Sequence, residues 1–143
     1  MRRRAVTLTE LTVGIAILSL LAGAFTLSPN LWSYTAKREA ERLAAKITAL
    51  TREADRRRIN FVLDIDKTVM KIEWKGKKSV LKRFEASTGC SYEWNNPSTK
   101  LEYSYTKNTF EVGKTIAVSG KGAPYYVIIA AIEGRVRTSA TRP

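Results

Sequence analysis

The sequence predicts an α+β protein in which a long N-terminal transmembrane helix continues into a small antiparallel β-rich head. Three observations predict it. Residues 6–27 form an apolar run with a single charge, Glu10. Residues 37–58 repeat apolar side chains at helical spacing among many charges. From residue 59 onward the pattern changes to short alternating stretches broken by turn residues. The expected segments are a basic N-terminal stretch at 1–5, a transmembrane helix at 6–28, an amphipathic helix at 29–58 and the head at 59–143.

The apolar run of about 22 residues suits a bilayer-spanning helix, which needs about 20. Arg2, Arg3 and Arg4 precede it and would stay cytoplasmic by the positive-inside rule. The expected topology is therefore a single crossing, with the rest of the chain on the far side of the membrane. A secretory signal peptide is the competing reading, because Leu20–Ala24 supplies small residues for a cleavage site. Glu10 argues against it. A carboxylate in an apolar helix costs roughly 2.5–3.5 kcal/mol at mid-membrane and marks a functional position.

The junction Ala5-Val6-Thr7-Leu8-Thr9-Glu10-Leu11 resembles the leader junction of type IV pilins and pseudopilins. In that family a short basic leader ends in a small residue, usually Gly, and the mature chain opens with an aromatic residue or Met. Here Ala5 and Val6 hold those places. The resemblance implies cleavage between Ala5 and Val6 by a prepilin peptidase and N-methylation of Val6. It also implies an assembly role for Glu10, which falls at the fifth mature position. The physics agrees. Trimming creates an amine one helical turn from Glu10, and in a bundle of parallel helices a neighbour's amine offsets the burial of that carboxylate. A mispaired register leaves it bare.

Ser28-Pro29-Asn30 interrupts the apolar run, since proline removes a helix hydrogen bond. Beyond it Leu43, Ile47, Leu50 and Ala54 share one face, widened by Ala40, Ala44 and Ala45. Lys37, Arg38, Glu39, Glu41, Arg42, Lys46, Arg52, Glu53 and Asp55 take the remainder. Arg56-Arg57-Arg58 suits the negative end of the helix dipole. A continuous helix from Thr7 to Arg58 would be about 78 Å long.

Strands are expected at 59–64, 68–74, 80–84, 101–106, 109–112, 115–118 and 125–132. A turn falls near Asp66-Lys67, a hairpin turn at 74–79, and a loop over 88–99 around Gly89 and Asn95-Asn96-Pro97. The 125–132 run is almost continuously apolar and reads as the central buried strand.

Composition restricts the chemistry. There is no histidine and one cysteine, Cys90, so no internal disulfide, Cys–His pair or Ser–His–Asp triad can be built. No Gly-rich phosphate loop occurs. Neither enzymatic activity nor a metal or other cofactor is expected. The 25 basic residues against 13 acidic ones give +12, which attracts polyanions or acidic partners.

After residue 36 the chain is most similar to the FimT/GspH group of minor pilins and pseudopilins. The similarity lies in Arg38-Glu39-Ala40-Glu41-Arg42-Leu43, Leu50, Arg52-Glu53-Ala54, and the tail 127–132 followed by Gly134-Arg135-Val136-Arg137. It implies a structural subunit of a type II secretion pseudopilus or a type IV pilus. It also implies a place in the bacterial inner membrane, crossed once with the head in the periplasm or at the cell surface, and as partners other pilins, the prepilin peptidase, inner-membrane lipid and, in the alternative competence role, DNA. In the FimT branch a Gly-Arg-x-Arg tail is associated with DNA binding in natural transformation. Carried over, Gly134 supplies the turn, Arg135 and Arg137 the phosphate contacts, and Arg142 a third. If 135–137 is extended, the two arginines point to one side about 7 Å apart. Lys71, Lys75, Lys77, Lys78, Lys82 and Arg83 form a second basic group, also readable as a solvated hairpin.

Overall fold

The computed structural model describes residues 8–26, 30–76, 80–95, 100–120 and 122–143. It forms helix α1 at Leu8–Thr26 and helix α2 at Asn30–Arg57, followed by short strands. The chain divides into two units, Met1–Leu31 and Trp32–Pro143.

In the first unit, α1 is 19 residues long. Among the described residues no helix is long and apolar enough to cross a membrane. This corrects the expected fold class and the expected location together. Among the described residues the expected long transmembrane helix from Thr7 to Arg58 is not seen, and the single-pass inner-membrane placement that rested on it falls too. The residues explain the difference. Glu10, Thr9, Thr12, Gly14 and Ser19 dilute the apolar run within α1. Pro29 lacks the N–H that a continuous ladder of helix hydrogen bonds would need, and α2 is amphipathic rather than apolar. Residues 27–29 themselves lie outside the described residues.

In the second unit, α2 buries Ala36, Ala40, Leu43, Ile47, Leu50 and Ala54. Their spacings of four, three, four, three and four place them on one stripe. Ala44 joins the stripe, whereas Ala45, also expected there, is exposed. The helix ends at Arg57, and Arg58 takes a left-handed conformation with φ 55°.

Two antiparallel sheets share a core with α2. The first contains β1 (Asn60–Asp66), β2 (Val69–Lys75), β3 (Val80–Glu85), β5 (Lys100–Ser104) and β6 (Thr109–Phe110) in the order β3-β2-β1-β5-β6. The second contains β4 (Ser91–Trp94), β7 (Lys114–Ser119), β8 (Tyr125–Ile129) and β9 (Val136–Ser139) in the order β4-β7-β8-β9. The β1–β2 hairpin closes with Asp66 opposite Val69, and the turn falls at Lys67, where φ is 42°. On β2, Met70, Ile72 and Trp74 are buried, and the residues between them are not.

Two stretches differ from expectation. Residues 91–94, expected in a loop, form β4, which pairs with β7 from Ser91↔Ser119 to Trp94↔Ile116. That pairing is non-local, so no alternation within 88–99 announces it. The 125–132 run ends as a strand at Ile129, and Ile132 is 77% exposed. β8 does lie inside its sheet, between β7 and β9.

Phe61 organises the aromatic part of the core. Its ring centroid lies 5.2 Å from that of Tyr103, 5.5 Å from Trp74 and 6.2 Å from Phe110. Buried polar groups join the elements around this core. The Tyr103 hydroxyl donates to Asp55 Oδ1 at 3.0 Å, tying β5 to the end of α2. Burial raises the Tyr103 pKa, reinforced by the bond to Asp55 and its charge. Lys114 is buried, its Nζ donating to the Lys100 carbonyl at 2.6 Å and lying 4.8 Å from the Trp94 ring centre.

Glu39, expected among the solvent-facing charges of α2, is only 3% exposed. It precedes Leu43 by four residues, so helical geometry places it beside the apolar stripe. Ser87 N–H donates to Oε1 at 3.2 Å and Ser87 Oγ–H to Oε2 at 2.6 Å. The Tyr92 hydroxyl also donates to Oε1, and Arg42 Nη1 lies 3.3 Å from Oε2. Burial by itself would raise the carboxyl pKa. The bonds from Ser87 and Tyr92 and the Arg42 charge outweigh it and hold the group below its ordinary value of 4.5. A carboxylate with a depressed folded pKa contributes stability above its unfolded pKa and loses it as pH falls through the folded value.

Glu39→Ala should therefore destabilise the head by roughly 2–4 kcal/mol at neutral pH, by orphaning the Ser87 and Tyr92 donors. In Glu39→Gln the loss of stability from about pH 5 to about pH 2 should be smaller than in wild type. Urea denaturation across pH checks both. Parallel pH profiles for wild type and Glu39→Gln would remove the ionic role.

Candidate functional site

The C-terminal turn is built by two consecutive left-handed residues. Glu133 has φ 63° and Gly134 φ 59° within a short 3-10 turn at Ile132–Gly134. Glycine is required there twice over. Left-handed backbone disfavours a side chain, and a Cβ at Gly134 would stand 3.3 Å from Tyr103 Cε2. The turn closes with Ala130 N–H donating to the Arg135 carbonyl at 2.9 Å. Arg135 then enters extended backbone at φ −68°, ψ 133°.

β9 follows and pairs with β8 from Ile129↔Val136 to Tyr126↔Ser139. Val136 packs against the core, so its neighbours on either side point away. Arg135 and Arg137 are both exposed, as an extended 135–137 requires. Arg137 stands opposite Ile128 on the outward side of the sheet. Arg135 Nε pairs with Glu133 Oε2 at 2.7 Å, with both side chains largely exposed. Such a surface pair contributes at most about 1 kcal/mol, so a stronger anion can displace it. Arg142 Nη2 donates to Asn95 Oδ1 at 2.6 Å, and Asn95 N–H donates to the Thr115 carbonyl at 2.9 Å. The tail after β9 thus returns to the β4 edge of the same sheet. Motif reading anticipated the two arginines. It did not anticipate this return, which depends on the sheet order.

The second basic group does not form one surface. Lys71 and Arg83 are paired across β2 and β3 and share a face, while Lys82 points to the other. Lys71 lies 3.4 Å from Asp66 Oδ2 and Lys75 2.6 Å from Glu102 Oε2. Lys77 and Lys78 lie outside the described residues.

At the other end of the chain, Ala5 and Val6 also lie outside the described residues. Glu10 is exposed in the first turn of α1, where the helix dipole favours a carboxylate. Around it Leu8, Leu11, Val13, Ile15, Ile17, Leu18 and Leu20 are between 53% and 81% exposed. At 100° per residue these positions surround the helix. The hydroxyls turn inward: Thr12 Oγ1 donates to the Leu8 carbonyl and Ser19 Oγ to the Ile15 carbonyl, both at 2.8 Å. Cys90 is buried, and burial together with the Glu39 charge raises its pKa, which disfavours the reactive thiolate. Among the described residues no group of acidic or thiol side chains could hold a metal ion. Comparison with protein-family models, curated proteins and solved structures finds no match.

Gly134→Ala should destabilise the head by about 1–3 kcal/mol, because a side chain there combines left-handed strain with crowding against Tyr103. A lowered midpoint in chemical denaturation is the expected result. An unchanged midpoint would show that the turn relaxes freely.

Proposed function

We propose that the chain is a structural subunit of a filament, of the minor pilin or pseudopilin kind, and that its role is assembly rather than catalysis. The observation that carries this reading is the apolar surface on every side of α1. A helix apolar all round is stable only when surrounded. Each large aliphatic side chain contributes about 1.5–3 kcal/mol on burial. Parallel copies of the same helix from neighbouring subunits supply that surrounding. The back-bonded Thr12 and Ser19 hydroxyls suit such a bundle, since neither needs a partner outside its own helix.

In the bundle Glu10 sets the register. Cleavage between Ala5 and Val6 exposes an amine, and the amine of one subunit meets the Glu10 carboxylate of the next. A stagger that separates them buries an uncompensated charge. The host machine is a secretion pseudopilus or a pilus.

A competence role is favoured by a separate observation, the outward projection of Arg135 and Arg137 from one side of an extended segment. Two guanidinium groups about 7 Å apart match successive phosphates of one strand. Backbone contacts of this type are sequence-independent and salt-sensitive.

Mass spectrometry of the mature protein should find an N-methylated Val6 at its N-terminus, and Glu10→Ala should fail to co-assemble. An intact Met1, or cleavage near Ala24, would overturn the filament reading. For the competence role, the purified chain should retard DNA at low salt, and Arg135→Ala/Arg137→Ala should lose at least about tenfold in affinity. No retardation by the wild type would remove that role and leave the filament role standing.

A further inference from the structure

β3 ends the five-stranded sheet and pairs only with β2. Ala86 N–H donates to the Thr68 carbonyl at 2.8 Å, which makes 68/86 a hydrogen-bonded pair of the antiparallel ladder. Strict alternation then turns the N–H and C=O groups of Leu81, Arg83 and Glu85 away from β2. Among the described residues no other strand bonds to them. The strand is also bare on both faces: every β3 residue except Phe84 is exposed, with Val80 at 49% and Leu81 at 54%.

The edge is cationic. Lys82 points to one face and Arg83 to the other. On the Lys82 side, Arg42 and Lys46 of α2 stand 4.6 Å and 5.9 Å from the Phe84 ring centre. The neighbouring acids are Glu85 on the strand itself, Glu73 opposite Leu81, and Glu39, which pairs with Arg42.

From this arrangement we infer that the outer edge of β3 takes up an extended acidic segment of a partner protein as an added strand. Main-chain bonds to Leu81, Arg83 and Glu85 hold the segment. Side chains on both faces of the added strand set the preference: an apolar pair lies beside Val80 and Leu81, and a pair of carboxylates meets Lys82 on one face and Arg83 on the other. A second copy of β3 fits less well. Antiparallel self-pairing through the outward groups of Leu81, Arg83 and Glu85 sets Arg83 opposite Arg83 of the other copy, and like charges directly opposite are destabilising. Each chain also carries +12.

The test uses the full chain and a fluorescent peptide of about six residues, Val-Val-Glu-Glu-Val-Val, which is one strand in length and shows a carboxylate on each face. The wild type should bind it, more weakly as salt rises, and should not bind a matched Val–Lys peptide. Arg83→Pro removes an outward N–H and leaves the β2 ladder whole, and proline is tolerated on an edge strand. That variant and Lys82→Glu/Arg83→Glu should each bind at least about tenfold more weakly. If the proline variant fails to fold, the charge reversal and amide exchange carry the test. The amides of Leu81, Arg83 and Glu85 should exchange quickly in the free chain and become protected by the peptide. Equal binding of acidic and basic peptides, no binding of the acidic one, or edge amides already protected without peptide would overturn the assignment. So would sedimentation showing self-association that the charge reversal abolishes, which would give the edge to a second copy.

Discussion

The Glu39 carboxylate lies where α2, the residues between β3 and β4, and β4 itself come together. It receives the Ser87 N–H and hydroxyl and the Tyr92 hydroxyl, and Arg42 reaches both Glu39 and Ser87. One ionised group thus joins α2 to the Ser87–Tyr92 stretch, which is distant in sequence. The apolar stripe of α2 could slide or turn on a greasy surface, because apolar contact is non-directional. A buried carboxylate with three donors fits in one place only. That placement fixes α2 against the start of β4.

The second unit buries most of its described apolar residues within itself, through Phe61 and its ring partners, the α2 stripe and the inner faces of both sheets, and leaves Val80 and Leu81 exposed on β3. The first unit does not. α1 shows aliphatic side chains on all sides and folds its hydroxyls onto its own backbone. A filament role assigns each unit the task its surface suits, with α1 for packing among copies and the head for presentation. β3 and the β9 arginines are two separate presenting edges, one built from backbone groups and the other from guanidinium groups.

Much of the head was legible in the sequence. Met70, Ile72 and Trp74 alternate on β2, Asp66-Lys67 marks the hairpin, and Leu43, Ile47, Leu50 and Ala54 repeat at helical spacing; each is local and each is found in the structure. Within the head the differences have one source. β4 exists because β7 lies beside it, and Glu39 is buried because Ser87 and Tyr92 come to it across 48 and 53 residues of sequence. In the N-terminal run the difference is local: Glu10, Gly14 and the hydroxyls of α1 dilute an apolar length that on its own would suit a bilayer. Of the candidate site, the Gly134 turn and the paired arginines were visible as a motif. The Arg142–Asn95 bridge was not, because it joins the two edge strands of one sheet.

The sequence by itself determined the local matters: the apolar stripe of α2, the alternation along β2 and the turn before it, that a glycine stands at 134, that histidine chemistry is absent, and that one end of the chain is apolar. These follow from backbone sterics, side-chain period and composition, which act within a few residues. Only the tertiary structure decided which carboxylate would be buried, which strand would be left at an edge, and which arginines would share a face. Those outcomes depend on pairing between segments far apart in the chain, and neither period nor propensity encodes who the partner is.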